Sequence, residues 1–511
     1  MIGRWLASAG LALSLSCAEP APDRVVVALD TAPVSLDPRF ASSDSDGKVS
    51  RLIFAGLTTT DTDDGAVALD LAESWEPEGS GVLVRLRRDR AFHDGTPVTA
   101  ADVAWSLRSI TDPAVGSPYA STFRGIEPEV VDDTTLRIRL SRPHPSLAFE
   151  LEVGIVPQHA VGPNQRFDPG EPWVGAGPFA WVRTEADGTV VLRPQPWTKA
   201  GRAGMRELVV RPMPDENARL MALASGRVDL VQNAISPLLL PVAASYPDLR
   251  VEQSRSFKYS YLAFETSRPP FDDVRVRRAV AMAIDQAPII ATRFAGAAVP
   301  AQGMIAPWHP IYAEAKPPPG RDLDAARRLL DEAGIAPADQ EGCRLRVVYK
   351  TSTNKFRRGI AGIIAGQLRE AGICVEVRSL EWGTFFDDIK SGNFELTSLS
   401  WPSVQDDALF RWVFHSASIP DPSNRSSGAN RGRFRSARVD AAIERAESTR
   451  DPAARRAAFA EVQGLLSEEL PYVSLWYEDN VVVVRRQWQG FAAVPNGRLV
   501  HLADMVRAPR P

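Results

Sequence analysis

Short apolar runs and apolar–polar alternation predict strands in the first part of the chain. Arg24 to Leu29 reads RVVVAL, a β-branched run that is typical of a buried strand. Val82 to Arg88 alternates apolar and polar residues, as a strand with one buried face does, and Thr134 to Leu140 repeats that pattern. We therefore expect a strand at each of these positions.

A helix is predicted directly after the stretch AFHDGTP, whose Asp-Gly pair is typical of a turn. Thr99 and Asp102 have the spacing of a capping box, in which each side chain bonds to the other's backbone amide. Val103, Leu107 and Ile110 then fall on one helical face. The turn and the cap together predict a helix that begins at about residue 100.

A second helix is predicted from Asp272 to Asp285, where apolar residues recur at four-residue spacing. Val276, Val280 and Ile284 form its apolar stripe. We expect the arginines of this segment to lie on the outer face, in contact with solvent.

The segment from Cys343 to Leu380 has the pattern strand, helix, strand. CRLRVVY and ICVEVRSL read as strands, and FRRGIAGIIAGQLREAG between them has Ile360, Ile364 and Leu368 on one face. Such a unit predicts an α/β lobe that contains a parallel strand pair.

Length and charge limit the class of protein. At 511 residues the chain is too long for a single core, so two to four domains are expected. The net charge is −4, and the basic residues are scattered among acidic ones. A groove that binds nucleic acid would show a basic stripe, so a nucleic-acid partner is not expected.

The first residues, MIGRWLASAGLALSLSC, have the layout of a secretory signal: one Arg, an apolar stretch and a small residue before Cys17. We expect residues 1–16 to be a bacterial lipoprotein signal and Cys17 to be lipidated, with 17–23 as a polar tether. An ordinary cleaved signal with an incidental cysteine is the alternative. Export also permits a disulfide between Cys343 and Cys374, although we favour two unpaired core cysteines.

A screen for catalytic motifs gives little support for an enzyme. The sequence has no G-x-S-x-G elbow, no Walker loop, no H-E-x-x-H motif and no Cys/His pair at metal-ligand spacing. His93 has no partner pattern around it and is expected in a turn. VGAGPF, from Val174 to Phe179, lacks the spacing of a dinucleotide loop and predicts a turn where two backbones pass closely.

Several stretches, taken in order along the chain, resemble one family. They are LDPRF, LIFAGLTTTD, LAESWEPEGSGVLVRLRRDRAFHDGTPVTAADVAWSL, GIVPQHAV, VGAGPF, MPDENARLMALASGRVDLV, YLAFETSRPPFDDVRVRRAVAMAID, LDAARRLLDEAG, RFRSARVDAAIERA and LPYVSLWYEDNVVV. In this order they resemble the extracytoplasmic solute-binding proteins of ABC importers for peptides and nickel, family 5. The likeness spans nearly the whole mature chain.

The resemblance implies an α/β, two-lobed periplasmic-binding-protein type II fold with an extra domain inserted in lobe I. Lobe I would take residues 24–56, 175–260 and 476–511, the inserted domain 57–174, and lobe II 261–475. The hinge would cross near SYLAFET and LWYEDN, and the lobes would close over a ligand. In this family the FHDGTP stretch is scaffold, so His93 and Asp94 are expected to be structural.

The resemblance also implies a function. The protein would be a receptor without catalytic activity, cofactor or metal, which captures a peptide-like or other small ligand and delivers it to an ABC permease. It would be a monomer in the periplasm or at the cell surface, held to the membrane by the lipid on Cys17. A receptor for a non-peptide ligand (a sugar, an opine or a chelated metal) is one alternative, and a hydrolase or chaperone on the same scaffold is another.

In peptide-binding members a lobe II loop carries a carboxylate that pairs with the free amine of the peptide. The matching stretch here runs from Leu396 to Phe414 and aligns Trp401 with the family tryptophan. Val404 stands where the amine-binding acid should be, followed by Asp406 and Asp407. Either Asp406 takes over that role from a shifted loop, or the ligand is not a free-amine peptide.

The resemblance therefore suggests a small set of ligand-binding residues. Trp401 would stack on the ligand, with a packing role as its alternative. Asp406 and Asp407 would bind a cationic group, or else be solvated loop acids. The loop TAPVSLDP matches one that lines the cleft from lobe I, where Val34 and Ser35 would offer backbone and hydroxyl contacts, unless the loop is only a turn.

Overall fold

The computed structural model of the protein describes residues 24–509, except 121, 142–143, 145, 169–170, 310, 313, 315–319, 405–407, 422–427 and 450. The predicted signal and tether, including Cys17, lie outside the described residues. Asp406 and Asp407 also lie outside them.

The strands confirm the predicted runs at residues 24, 82 and 134 to within one or two residues. The strands are β1 Arg24–Leu29, β2 Thr58–Thr59, β3 Ala68–Leu69, β4 Ala72–Glu78, β5 Gly81–Leu86, β6 Ile126–Asp132, β7 Thr135–Leu140, β8 Phe179–Thr184, β9 Val190–Pro194, β10 Glu207–Pro212, β11 Leu230–Gln232, β12 Leu249–Phe264, β13 Ala298–Pro300, β14 Leu345–Ser352, β15 Ile373–Leu380, β16 Leu396–Trp401, β17 Tyr472–Arg485, β18 Trp488–Gln489 and β19 Val506–Arg507.

The helices alternate with these strands, as the α/β class requires. They are α1 Asp44–Ile53, α2 Ala100–Thr111, α3 Leu147–Glu150, α4 Lys199–Arg202, α5 Glu216–Ala224, α6 Leu240–Ser245, α7 Val274–Ala283, α8 Gln286–Arg293, α9 Leu323–Glu332, α10 Lys355–Glu370, α11 Trp382–Ser391, α12 Ala408–Phe414, α13 Ala437–Ser448 and α14 Pro452–Glu469. Short 3₁₀ turns lie at Gln158–Ala160, Pro237–Leu239, Ser416–Ser418 and Val500–Asp504.

One 11-stranded sheet runs through both halves of the molecule, in the order β15-β14-β16-β12-β17-β11-β1-β10-β9-β8, with β13 paired to β17. On one side β14 pairs in parallel with β15 and β16, and on the other β1 pairs in parallel with β10 and β11. Buried apolar clusters cover both faces of each half. A parallel sheet needs this coverage, because both of its faces are apolar.

A separate four-stranded antiparallel sheet, β4-β5-β7-β6, packs against α2. The buried residues around it all lie between Ala55 and Ala176 and form a core of their own. The inserted domain at 57–174 remains a prediction, which this separate core supports. The capping box of Thr99 and Asp102 is present, and Val103, Leu107 and Ile110 are buried in this core, as predicted.

The strands β12 and β17 join the two halves of the large sheet. They pair antiparallel along most of their length, with one irregularity between Ser260 and Tyr261 and an earlier one between Ser254 and Lys258, where β12 bulges. Before this bulge β12 pairs with β17 from Asn480 to Arg485, and after it with the stretch from Tyr472 to Glu478. The bulge lies a few residues before the SYLAFET segment that was predicted as the hinge. It marks the point where two paired strands pass from one half of the sheet to the other.

Cys343 and Cys374 form a disulfide, with their Cα atoms 5.6 Å apart. The preference for two unpaired cysteines was therefore wrong. The parallel register of β14 and β15 places Arg346 opposite Cys374, so Cys343, just before β14, comes alongside the start of β15. The strand–helix–strand pattern predicted a parallel pair, but not the register that brings these two cysteines together.

The expectation that the arginines of α7 all face solvent was wrong for Arg277, which is buried. Its guanidinium donates hydrogen bonds to the carbonyls of Phe271, Glu469 and Leu470. Two of these carbonyls lie at the C-terminal end of α14, where main-chain acceptors have no partner within the helix. Burial lowers the pKa of Arg277 to about 10, so the group stays charged at neutral pH.

Candidate functional site

The carboxyl ends of the parallel strands identify where a ligand would bind. In open α/β sheets ligands bind in the crevice outside these ends. On one half of the sheet β14, β15 and β16 end at Ser352, Leu380 and Trp401, and on the other half β1 ends at Leu29. The loops that follow these strands are the candidate site.

The loop after β1 contains the predicted residues Val34 and Ser35. Val34 is 91% exposed, so its side chain is accessible to a ligand. The backbone amides of both residues, however, already donate to Oδ1 of Asp46, at 2.6 and 3.2 Å. Backbone donation to a ligand would have to displace Asp46, so the Val34 side chain and the Ser35 hydroxyl are the groups on which the predicted contact depends.

A cavity of about 260 Å³ lies between α1 and two chain segments, 119–123 before β6 and 149–154 after β7. Pro38 and Ala41 line it from the end of the β1 loop, and Tyr119 and Phe149 line it from the opposite side. This volume is near the lower end of the range for small-molecule sites. The cavity runs from the β1 loop toward the predicted inserted domain.

Charged residues at this cavity form a compensated network. Nε of Arg51 lies 3.0 Å from Oδ2 of Asp61, and Arg498 contacts both Asp61 and Glu152. Glu152 also accepts from the backbone and hydroxyl of Thr60 at 2.8 and 2.6 Å. Each charged group has an oppositely charged partner inside the network. These groups therefore stabilise the fold and leave no unpaired charge for a ligand.

The stretch that carries His93 is structural, as predicted. The imidazole Nε2 bonds to the carbonyl of Gly177 at 3.0 Å, and Nδ1 accepts from the amide of Gly175 at 3.3 Å. Burial lowers the pKa of His93, which favours the neutral ring that this donor–acceptor pair requires. His93 therefore fastens the FHDGTP turn to the VGAGPF turn.

Trp401 ends β16 on the other half of the sheet and is largely buried. Its ring is near-parallel to that of Tyr261 at 6.2 Å and contacts Trp412 at 5.4 Å. Its indole Nε1 is buried and has no hydrogen-bond partner among the described residues. Packing contacts are thus present, and stacking on a ligand remains a prediction.

Val404 does not face an open site. It is 1% exposed, belongs to the apolar core of this half of the sheet, and donates its amide to the carbonyl of Phe257 at 2.9 Å. Position 404, where the family resemblance implies an amine-binding acid, therefore holds an apolar side chain that solvent does not reach. Within the described residues, no carboxylate takes its place at this point of the loop.

Sequence reasoning missed a row of cations and aromatic rings at this edge. Arg357, in the first turn of α10, lies over Trp382, which begins α11, with 4.9 Å between the guanidinium carbon and the ring centroid. Trp382 stacks on Phe386 at 5.6 Å with 11° between the planes. Arg431 lies over Phe386 at 4.9 Å and over Trp401 at 5.5 Å. We call these five residues the cation–aromatic ladder.

A buried carboxylate lies close to the ladder. Glu478, on β17, accepts from Ser260 at 2.8 Å and pairs with Lys258 at 2.6 Å. Burial would raise the pKa of Glu478, but Lys258 and the neighbouring donors outweigh it and lower the pKa. Glu478 is therefore ionised, and its charge is shared between Lys258, with which it pairs, and Arg357 of the ladder.

One group of possible metal ligands is present within the described residues: Asp339, Glu341 and Cys343. Cys343 is in the disulfide, so it offers no thiolate. Both carboxylates pair with Arg346, at 2.8 and 2.6 Å. These contacts account for the group without a metal ion.

None of the described helices is both long and apolar enough to cross a membrane.

Comparison with known proteins identifies one family. Residues 66–420 match the family model described as bacterial extracellular solute-binding proteins, family 5 Middle. The probable di/tripeptide-binding protein 5 of Pseudomonas aeruginosa (strain UCBPP-PA14) is 27% identical over 478 residues, covering 86% of this chain and 88% of that protein.

Two solved structures show the same fold. NikZ from Campylobacter jejuni, in complex with Ni(L-His), superposes with a TM-score of 0.83 at 22% identity, covering 95% of this chain and 99% of that one. MoaA from A. tumefacien R10, in complex with mannopinic acid, gives 0.79 at 24% identity, covering 96% and 100%.

Proposed function

The chain belongs to the bacterial extracellular solute-binding proteins of family 5, and from this premise we propose that it captures a small ligand between two lobes and delivers it to an ABC importer. Proteins of this family are substrate receptors and not enzymes. The observation that carries the proposal is the pair β12 and β17, which runs through both halves of the sheet and has two irregularities, between Ser254 and Lys258 and between Ser260 and Tyr261. Two paired strands with local irregularities allow the halves to rotate about this region.

The ligand is a peptide-like or other small molecule held at the carboxyl edges of the parallel strands. The relatives bind diverse cargo: one is named for di/tripeptides, and the two solved structures hold a nickel–histidine complex and mannopinic acid. Val404 lowers the expectation for peptides with a free amine, because a buried valine cannot pair with an ammonium group. A non-peptide ligand is therefore the second candidate.

Ligand-induced closure is the expected result that tests this proposal. A pool of di- and tripeptides, and separately a pool of sugars, opines and metal chelates, would be titrated by calorimetry, with X-ray scattering on each mixture that releases heat. A bound ligand should reduce the radius of gyration, because the lobes rotate toward each other about the bulge. Binding without compaction would contradict closure. Tight binding of unmodified dipeptides would contradict the lowered expectation for free-amine peptides.

We further propose that the protein is held at the periplasmic or outer surface of a membrane by a lipid on Cys17, close to its permease. Replacement Cys17→Ser should move the protein from the membrane fraction to the soluble fraction, since one or more acyl chains supply the attachment. Cys343→Ser with Cys374→Ser is the matched control, because it removes cysteines without touching the predicted anchor. Retention of Cys17→Ser in the membrane would contradict the anchor.

A further inference from the structure

The two arginines of the cation–aromatic ladder are partly buried and differ in their partners from Arg51, Arg277 and Arg498. Arg51 and Arg498 pair with carboxylates, and Arg277 is saturated by carbonyls. Arg357 and Arg431 have no carboxylate within ion-pair distance among the described residues. A terminal nitrogen of Arg357, Nη1, is buried and has no hydrogen-bond partner there.

The ladder holds each guanidinium by its face. A ring that covers the face of a guanidinium leaves the N–H groups along its edge available, and two of these match the two oxygens of a carboxylate. Trp382 is 46% exposed although it is a large apolar side chain, so the ladder is open to solvent on that side. The aromatic rings would also cover the apolar part of a bound ligand.

The charges around the ladder favour an anion. Glu478 pairs with Lys258 and also attracts Arg357, and the carboxylate of Glu381 accepts from the amide of Gly383 at the start of α11. Lys258, Arg357 and Arg431 together still bring more positive charge to this edge than Glu478 balances within the described residues. An unpaired buried donor is costly, and an oxyanion from a ligand would satisfy it.

We propose that the protein binds its ligand through a carboxylate, which is held by Arg357 and Arg431 with the body of the ligand against the aromatic rings of the ladder. This rests on the proposed function and specifies the ligand class: a carboxylic acid that needs no free amine. Two independent features support it, since Val404 removes the anchor for an ammonium group while the ladder supplies one for a carboxylate.

The test uses three probes of one shape that differ in charge: benzoate, benzamide and benzylammonium. Each would be titrated into the purified mature protein, with quenching of tryptophan fluorescence as the signal. Benzoate should bind at least about tenfold more tightly than benzamide, because a charge-assisted hydrogen bond is stronger than a hydrogen bond to a neutral amide. Equal binding of the acid and the amide, absence of benzoate binding, or tighter binding of benzylammonium would each overturn the proposal.

Variants assign the binding to the ladder. Arg357→Gln and Arg431→Gln should each weaken benzoate binding at least about tenfold, and Arg357→Lys should recover only part of it because lysine lacks the planar fork. Arg445→Gln is the matched control, because Arg445 is an exposed arginine on α13 paired with Glu461. Unchanged binding in both ladder variants, with thermal unfolding like the wild type, would overturn the assignment.

Two outcomes separate this proposal from the receptor function. Compaction in X-ray scattering with a ligand that lacks a carboxylate would support the receptor function and contradict the proposal that the ligand is a carboxylic acid. Benzoate binding at the ladder, together with a radius of gyration that no ligand changes, would retain the carboxylate site and reject closure.

Discussion

Replacement of Arg498 by methionine is expected to lower the free energy of unfolding by about 3–5 kcal/mol. Arg498 contacts Glu152 and Asp61, whose side chains are both nearly inaccessible to solvent. Methionine fills similar space without the charge. The two carboxylates would then lie in a low-dielectric site with Arg51 as the remaining positive charge of the network. Urea-induced unfolding at neutral pH, followed by circular dichroism, measures the loss.

The matched control for this prediction is an exposed ion pair. Arg445→Met breaks the pair with Glu461, in which both side chains are more than half exposed. Solvent and salt screen such a pair, so the expected loss is less than about 1 kcal/mol. Equal losses in the two variants would show that the Arg498 network contributes no more than a surface pair.

The same network should give the protein a particular sensitivity to acid. Burial would raise the pKa of Asp61, but the Arg498 and Arg51 charges and their hydrogen bonds outweigh it and lower the pKa to about 2. A carboxyl with a depressed folded-state pKa contributes stability above its unfolded pKa, about 3.9, and loses it as the pH falls toward 2. Asp61→Asn should therefore flatten the decline in stability between about pH 4 and pH 2. An unchanged decline would mean that other carboxylates dominate it.

Local signals in the sequence were sufficient for elements whose causes are local. The capping box of Thr99 and Asp102 and the strand β1 were placed correctly, because a cap needs residues three apart and β1 is a continuous β-branched run. The strands β12 and β17 were not predicted from the hydrophobic pattern; only their hinge segments were named, from the family resemblance. Their length comes from running through both halves of the sheet, which mixes polar and apolar residues and hides the alternation.

Errors arose where the environment depends on chain segments far apart in sequence. Arg277 has the spacing of an outward residue on α7, and its burial is determined by the end of α14, almost 200 residues later. The disulfide depends on the register between β14 and β15, which hydrophobic patterning does not specify even where it predicts the pair. Both errors concern tertiary neighbours, and both segments were assigned to the right type of element.

The candidate site was predicted incompletely for the same reason. The family resemblance assigned Trp401 to the family tryptophan and showed that valine, at position 404, stands where the family has an acid. Both assignments were possible because the two residues lie in one contiguous stretch. The rest of the ladder comes from three other segments, around residues 357, 382 and 431. No spacing along the sequence connects an arginine at the start of one helix to an aromatic ring at the start of the next.

Replacement of Gly177 by alanine is expected to destabilise the protein by about 2–4 kcal/mol. A methyl group at Gly177 would lie 2.6 Å from the main-chain carbonyl carbon of Ile53 and 2.6 Å from the carbonyl oxygen of Leu52. Both are backbone atoms at the end of α1, so no side-chain rotation can relieve the contact. The substitution keeps the amide that donates to Ile53 at 2.8 Å and the carbonyl that bonds to His93. The loss would thus report the close approach of two backbones that VGAGPF predicted.

Gly366→Ala is the control of opposite sign. Gly366 lies on the exposed face of α10, and a methyl group there meets no atom within 4 Å. Alanine has the higher helix propensity and restricts the unfolded chain, so a gain of about 0.5–1 kcal/mol is expected. If Gly177→Ala were as stable as the wild type, α1 and β8 would have to separate without cost. The close approach of the VGAGPF turn to the end of α1 would then contribute nothing to stability.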